Sequence, residues 1–325
     1  MGLLVDGQWQ DKWYDTEASG GRFEREDAGF RNWVTVDGSA GPSGAGGFTA
    51  EADRYHLYIS LACPWAHRTI IYRQLKGLQN LISLSVVHPF MGDKGWTFAE
   101  GEGVIADPIV NANYLYEIYT AAKPDYTGRV TVPVLWDKKT NTIVSNESSE
   151  IIRMFNSAFD EVGALAGNFL PADCIAEIDE INAFVYDAIN NGVYKSGFAT
   201  KQSVYEEAVT ELFDALETLE ARLTDQRYLL GNTITEADWR LFTTLVRFDA
   251  VYVGHFKCNI RRIVDYPNLW GYLRDLYQVL GIAETVSIGH IKQHYYTSHA
   301  NINPTRIIPV GPALDFNEPH ERTRL

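Results

Sequence analysis

Tyr55-His56-Leu57-Tyr58-Ile59-Ser60, followed at once by Leu61-Ala62-Cys63-Pro64-Trp65-Ala66, is the stretch that decides the fold. The first six residues are aromatic and β-branched and read as a strand. Pro64 suits the first turn of a helix, where its missing N–H would be unpaired anyway. Trp65, Ile70, Ile71 and Leu75 continue the helical pattern, and Gly77 ends it. Ile82 to Val87 reads as a second strand. Strand, helix and strand over this distance make a βαβ unit with a parallel pair.

Working outward, a long insertion runs from His88 to Thr127, with Trp96 and the aromatic series Tyr114, Tyr116 and Tyr119. Val130 to Trp136 is expected to be a third strand, interrupted by Pro133. Lys138 to Asn141 looks like a turn, so Thr142 to Ser145 pairs back antiparallel. A helix is expected from about Glu147, with Ile151, Ile152 and Phe155 inward.

Everything beyond is helical in pattern. Pro171 to Asn190 places Ile175, Ile178, Phe184, Val185 and Ile189 on one face. Ser203-Val204-Tyr205-Glu206 and Thr235-Glu236-Ala237-Asp238 both read as capping boxes. Pro267 opens a helix with Leu269, Leu273 and Leu276. The tail after Asn303 has no periodicity and reads as an extended arm. Upstream, Gly38 to Gly47 is glycine-rich but lacks the Gly-Lys-Ser/Thr of a phosphate loop, so a flexible surface loop or lid is expected.

The chain has 325 residues, 28 basic and 42 acidic, for a formal charge of −14. That balance makes a poor phosphate binder and argues against nucleic acid and anionic lipid as partners. A hydrophobic share of 46% describes a folded protein, long enough for two domains. No apolar run approaches a membrane span, and no signal peptide or myristoylation motif is visible at the start. The three cysteines, Cys63, Cys174 and Cys258, are odd in number and widely spaced. They suggest a reduced, cytoplasmic protein. The eight histidines show no metal-ligand spacing, and no metal is expected.

Three features carry chemistry. Cys63 sits where a strand meets a helix, and the unpaired N–H groups and positive dipole end there favour a thiolate. Ala66 stands where a Cys-x-x-Cys motif has its second thiol, so a mixed disulfide on Cys63 needs an outside thiol to clear it. The alternative is an inert buried cysteine. Val132-Pro133 marks an edge or a special bend. Glu147-Ser148 opens a helix: hydroxyl and N–H groups fit a carboxylate and Glu147 fits an ammonium, while plain capping is the alternative. His67 and Arg68 could be helix-face residues or electrostatic helpers.

Taken together these residues resemble a glutathione transferase: an α/β thioredoxin-like N-terminal domain, here 1–160, and an all-α C-terminal domain, 161–325. More narrowly, Ser60 to Arg68, Arg129 to Asp137, Ser145 to Asn156, Asn190 to Ala199, Arg247 to Tyr252 and His290 to Tyr296 resemble the glutathionyl-hydroquinone reductases, or Xi class. The Thr235–Asp238 box is shared by glutathione transferases generally. The resemblance implies a cis proline at Pro133, with Val132 offering its backbone to an extended peptide. It implies that Cys63 is the nucleophile and that Trp96, Arg129, Val130, Thr131, Val132, Glu147 and Ser148 hold glutathione, the co-substrate. It further implies Tyr194 as proton donor, and Tyr252 and Tyr295 as hydroxyls around the cysteine sulfur. Tyr295 and Tyr296 are adjacent, and which of them serves stays open.

The expected reaction frees a hydroquinone from its glutathione conjugate through a Cys63–glutathione mixed disulfide, resolved by a second glutathione. The alternatives are a broader omega-like thiol transferase acting on mixed disulfides or dehydroascorbate, and a non-enzymatic scaffold. By analogy a homodimer is expected, with exposed aromatics of the insertion at the contact.

Overall fold

The computed structural model describes residues 2–325, which form two compact units. The first comprises the stretch up to Trp13 together with Glu26–Gly167. Its core is a four-stranded sheet in the order Ile82–Val86, Tyr55–Ile59, Val134–Asp137, Thr142–Ser145. Strand β3 (Tyr55–Ile59) pairs parallel with β4 (Ile82–Val86) through helix α1 (Pro64–Leu75), as the βαβ pattern requires. Strand β6 (Val134–Asp137) lies antiparallel to β3, and β7 (Thr142–Ser145) antiparallel to β6. All five residues of β3 are buried; the strand has neighbours on both edges, and helices α1 and α3 (Ser148–Ser157) of the same unit pack against each other.

A smaller sheet holds the start of the chain. Strands β1 (Leu3–Val5) and β2 (Gln8–Gln10) form a hairpin, with positive φ at both Asp6 and Gly7 matching the twist of a two-residue turn. Strand β5 (Gly128–Arg129) pairs with β1. Of the expected strand Val130–Trp136 only Val134–Trp136 is strand, in β6; Val130–Pro133 is not, and β5 lies just before it. Between β5 and β6 the chain crosses over at Val130 to Pro133, where Pro133 has no N–H for a ladder and the Val132–Pro133 bond is cis. The insertion contains helix α2 (Leu115–Ala122). Its aromatics are not freely displayed: Trp96 and Tyr119 are buried, and Tyr114 stacks on Tyr116, which stacks on Trp9. The loop Gly38 to Gly47 is tied down, with Trp33 Nε1 donating to Ser43 and the Arg54 guanidinium to the Gly47 carbonyl.

The first compact unit runs to Gly167, where buried Lys76 reaches both Asp160 (2.8 Å) and the Gly167 carbonyl (2.7 Å). The second unit adds Tyr14–Arg25 to Asn168–Leu325. It contains α4 (Ile175–Val185), α5 (Gly192–Gly197), α6 (Gln202–Arg222), α7 (Glu236–Arg247), α8 (Pro267–Tyr277) and α9 (Ile288–Ser298). The expected helix Pro171–Asn190 is shorter in α form and ends in a π-helical stretch, Tyr186–Asn190. Its buried face is Ile178, Ile181, Val185 and Ile189; Ile175 and Phe184 are exposed, one at the first turn and one off the face. Ser203 is no cap either, since α6 already begins at Gln202 with Lys201 before it.

The box at Thr235 forms as expected. Asp238 accepts from the Thr235 N–H (2.7 Å), and it also takes the Leu229 N–H and the Tyr272 hydroxyl in a fully buried setting. The C-terminal arm runs without helix or strand from Asn303 to a short turn at Arg322–Arg324. It is anchored at its end: the buried Arg322 guanidinium donates to the carbonyls of Leu223, Gln226 and Arg227. Asp238→Ala removes a cap and leaves several buried donors without an acceptor. It is expected to cost about 3 kcal/mol or more, read as a lower urea midpoint with an unchanged slope, whereas a loss below about 1 kcal/mol would contradict this role.

Candidate active site

In the first unit Cys63 is the N-cap residue of α1, with an extended backbone (φ −79°, ψ 123°) and Pro64 at the first helical position. Its carbonyl accepts from the His67 N–H at 3.0 Å, which closes the first turn. The thiol is half-buried, and its Sγ lies 3.6 Å from the Val132 carbonyl oxygen, to which the S–H donates. Ala66, one turn on, is fully buried, so no second thiol stands beside the first. The two nearby influences oppose each other. The Val132 carbonyl favours the protonated thiol, while the N–H groups and dipole of α1 favour the thiolate.

Glu147 is the N-cap of α3. Its Oε1 accepts from both the N–H and the hydroxyl of Ser149, each at 2.8 Å. Plain capping is therefore part of its work, and one carboxylate oxygen carries it. Ser148 is buried at the first helical position, and Arg68 Nη1 lies 3.5 Å from its hydroxyl. His67 and Arg68 are both buried, and the Arg68 guanidinium sits 4.5 Å over the Trp65 ring. Arg68 is thus not a solvent-face residue: it braces the start of α3 against α1.

The expected glutathione-holding set divides. Trp96, Val132 and Ser148 are buried and Glu147 is half-buried, all in the first unit. The Arg129 guanidinium, by contrast, is engaged with Glu26 (3.0 Å) and with the carbonyls of Lys12 (2.6 Å) and Trp13 (3.4 Å). The Thr131 backbone is held at both polar groups by the Tyr119 hydroxyl, which Asn146 also reaches. Val130 is buried next to them. These bonds hold the crossover segment in place. The Tyr119–Asn146 clamp was not legible in sequence, because its partners lie far apart in the chain.

In the second unit three phenols meet. The Tyr194 and Tyr295 hydroxyl oxygens are 2.5 Å apart, and those of Tyr252 and Tyr295 are 3.0 Å apart. Tyr194 comes from α5, Tyr252 from the π-helical turn Phe248–Tyr252 after α7, and Tyr295 from α9. The turn after α7 fits the frequent use of such bulges where a side chain must be re-aimed. Tyr295 joins the trio, while Tyr296 places its hydroxyl at the Ala250 carbonyl. Burial pushes Tyr252 and Tyr295 well above the ordinary phenol range, with Arg247 pulling the other way. Among the described residues, no group of three or more His, Cys, Asp and Glu side chains could hold a metal ion. No helix among them is long and apolar enough to cross a membrane.

Comparison with known proteins agrees with this geometry. Residues 62–158 match the family model of the glutathione S-transferase N-terminal domain, and residues 202–275 that of the C-terminal domain. The chain is 60% identical to the glutathionyl-hydroquinone reductase YqjG of Escherichia coli K12, over 99% of this chain and 98% of the relative. Among solved structures it resembles the glutathione-bound YqjG from the same organism, with a TM-score of 0.92 and 57% identity over 98% of this chain and 99% of that one. A Xi class glutathione transferase from Natrialba magadii matches with a TM-score of 0.91 and 50% identity, over 100% of this chain and 97% of that one.

The cysteines should separate by reactivity. Burial pushes the Cys258 thiol up to about 12, and partial burial with the Asp173 carboxylate raises Cys174. Alkylation followed by mass spectrometry should therefore label Cys63 first, with a midpoint below the free-thiol value of about 8.5. A Cys63 midpoint at or above that value would mean that the Val132 carbonyl outweighs the helix end.

Proposed function

This chain belongs to the glutathione S-transferase family, and from that premise we propose that Cys63 carries its glutathione-dependent reduction of glutathionyl-hydroquinones. The Cys63 thiolate attacks the sulfur of the conjugate, and a sulfur–sulfur bond forms as the sulfur–aryl bond breaks. The departing pair stays on the aryl carbon, which takes a proton and becomes part of the free hydroquinone. The thiolate sulfur is oxidised and the aryl carbon reduced, so the electrons balance within the pair. A second glutathione thiolate then attacks the mixed disulfide, giving oxidised glutathione and restoring Cys63.

The observation that carries this reading is the pairing of Cys63 at the cap of α1 with a buried Ala66 one turn later. A thiol placed for nucleophilic attack, with no partner to form an internal disulfide, needs a thiol from solution to finish each cycle. For glutathione itself the reading uses Trp96, the Val132 backbone, Glu147 and Ser148. The Val132 carbonyl, already turned toward Cys63 Sγ, suits the cysteinyl backbone of the tripeptide. The second carboxylate oxygen of Glu147 suits the γ-glutamyl ammonium, and the N-terminal N–H groups of α3 suit the carboxylate on the same carbon. For the proton the reading uses Tyr194, whose hydroxyl bonds with Tyr295 in a setting that keeps phenols protonated.

The direct test mixes the protein with a glutathionyl-hydroquinone in the absence of free glutathione. One glutathione should appear on Cys63 and one equivalent of hydroquinone in solution. Adding glutathione should then release one oxidised glutathione per further hydroquinone. Cys63→Ala should lose about a thousandfold or more of turnover. Substantial turnover by that variant, or a protein that reduces a small mixed disulfide but leaves the quinol conjugates at background, would overturn the assignment, the latter in favour of a general thiol transferase.

A further inference from the structure

The segment Tyr14–Arg25 packs with the helical unit although it precedes the first domain's sheet in sequence. It brings two side chains to Tyr194. Phe23 is buried, its ring 6.2 Å from that of Tyr194, 5.3 Å from Phe198 and 4.7 Å from Tyr14. Two residues on, the Arg25 guanidinium lies 5.1 Å from the centroid of the Tyr194 ring and 5.3 Å from that of Phe23. Its Nε donates to Asn191 Oδ1 at 3.0 Å, and Asn191 is itself buried just before α5. The cation is thus fixed over the aromatic face by a directional bond.

That placement has a chemical consequence. A phenol in apolar surroundings gives up its proton reluctantly, because the phenolate left behind is poorly solvated. The surroundings here are apolar: Phe23, Phe198, Tyr252 and Phe256 all pack against Tyr194. A neutral ring attracts a cation through its quadrupole, and a phenolate ring, which carries part of a full negative charge, attracts it more strongly. The interaction therefore grows as the proton leaves, which is the condition for lowering a barrier. A second cation, Arg247 of α7, is felt at Tyr252 and Tyr295.

We infer that Arg25 is a positioning residue for the reduction: held by Asn191, it fixes the Tyr194 ring and stabilises the phenolate left when Tyr194 protonates the departing aryl carbon. This rests on the reading of Tyr194 as proton donor. In balance, the aryl carbon gains the Tyr194 proton and the electron pair of its broken bond to sulfur, and the phenolate regains a proton from water. The second half-reaction, in which glutathione clears Cys63, transfers no proton to carbon and does not involve Arg25.

The two half-reactions provide the test. Hydroquinone release is followed in a single turnover without free glutathione. Clearance is followed by mixing glutathione with protein already carrying glutathione on Cys63. Arg25→Gln should slow release about tenfold and leave clearance unchanged, and Arg25→Lys, which keeps a cation, should recover most of the loss. Tyr194→Phe should slow release by about a hundredfold or more, and adding Arg25→Gln in that background should cost nothing further. Equal slowing of both half-reactions by Arg25→Gln, or the same tenfold loss in the Tyr194→Phe background, would overturn the inference and leave the Tyr194 reading standing. Undiminished release by Tyr194→Phe would remove the proton-donor reading and the inference with it.

Discussion

The antiparallel pairing of β3 with β6 is the constraint on which the first unit's chemistry depends. Tyr58 pairs with Val134, so the chain leaving β3 toward Cys63 runs alongside the chain arriving at β6 through Val132 and Pro133. The sulfur and the Val132 carbonyl meet because two strand ends meet. Helix α1 starts at that same end, since Pro64 follows Cys63 directly and cannot join a ladder. A helix end stabilises a nearby anion by about 0.3–1 kcal/mol, and by up to about 2 in partly buried geometry. That is enough to shift the thiol equilibrium by about a unit. The same strand pair thus supplies the dipole that promotes ionisation and the carbonyl that restrains it.

Much of this was legible in the sequence, and the reasons are local. The strand before Cys63, the helix after it, the parallel return and the β6–β7 hairpin each announce themselves within a few residues, by periodicity and turn chemistry. The Thr235 box was legible because its partners are three residues apart. The misreadings are equally instructive. Val130 to Trp136 looks like one strand because propensity does not show that Val130–Pro133 is an unpaired crossover and that only Val134 onward joins the sheet. Ile175 and Phe184 fit an apolar pattern but lie where α4 meets solvent. Ser203 has the right chemistry for a cap, but α6 begins one residue before it.

What could not be read is tertiary. The Arg129 guanidinium bonds to Glu26 and to two carbonyls of the N-terminal segment. Nothing near Arg129 in sequence shows those partners, more than a hundred residues away. The same holds for Arg322, which ends an aperiodic arm but is buried against the loop after α6. It holds also for Arg25, which is unremarkable in sequence and acquires its place from Asn191 and Tyr194. In each case an arginine fixes a segment that lacks regular structure, because a rigid five-donor fork can satisfy several carbonyls or a face and a carbonyl at once.

Reductive cleavage of a carbon–sulfur bond needs an anion and a proton donor at the same pH, and thiol and phenol differ in acidity by only about 1.5 units in water. The protein separates them by environment. Cys63 is half-buried at a helix N-terminus, which favours loss of its proton. Tyr252 and Tyr295 are buried among rings, which favours retention of theirs, and Tyr194 shares its hydrogen bond with that pair. In the proposed reaction, two titratable groups pushed apart in this way would take distinct roles, nucleophile and acid. In that proposed reaction Ala66 would complete the division: with no second thiol at that position, the oxidised sulfur would wait for glutathione, and the phenols would regain their proton from water before the next conjugate binds.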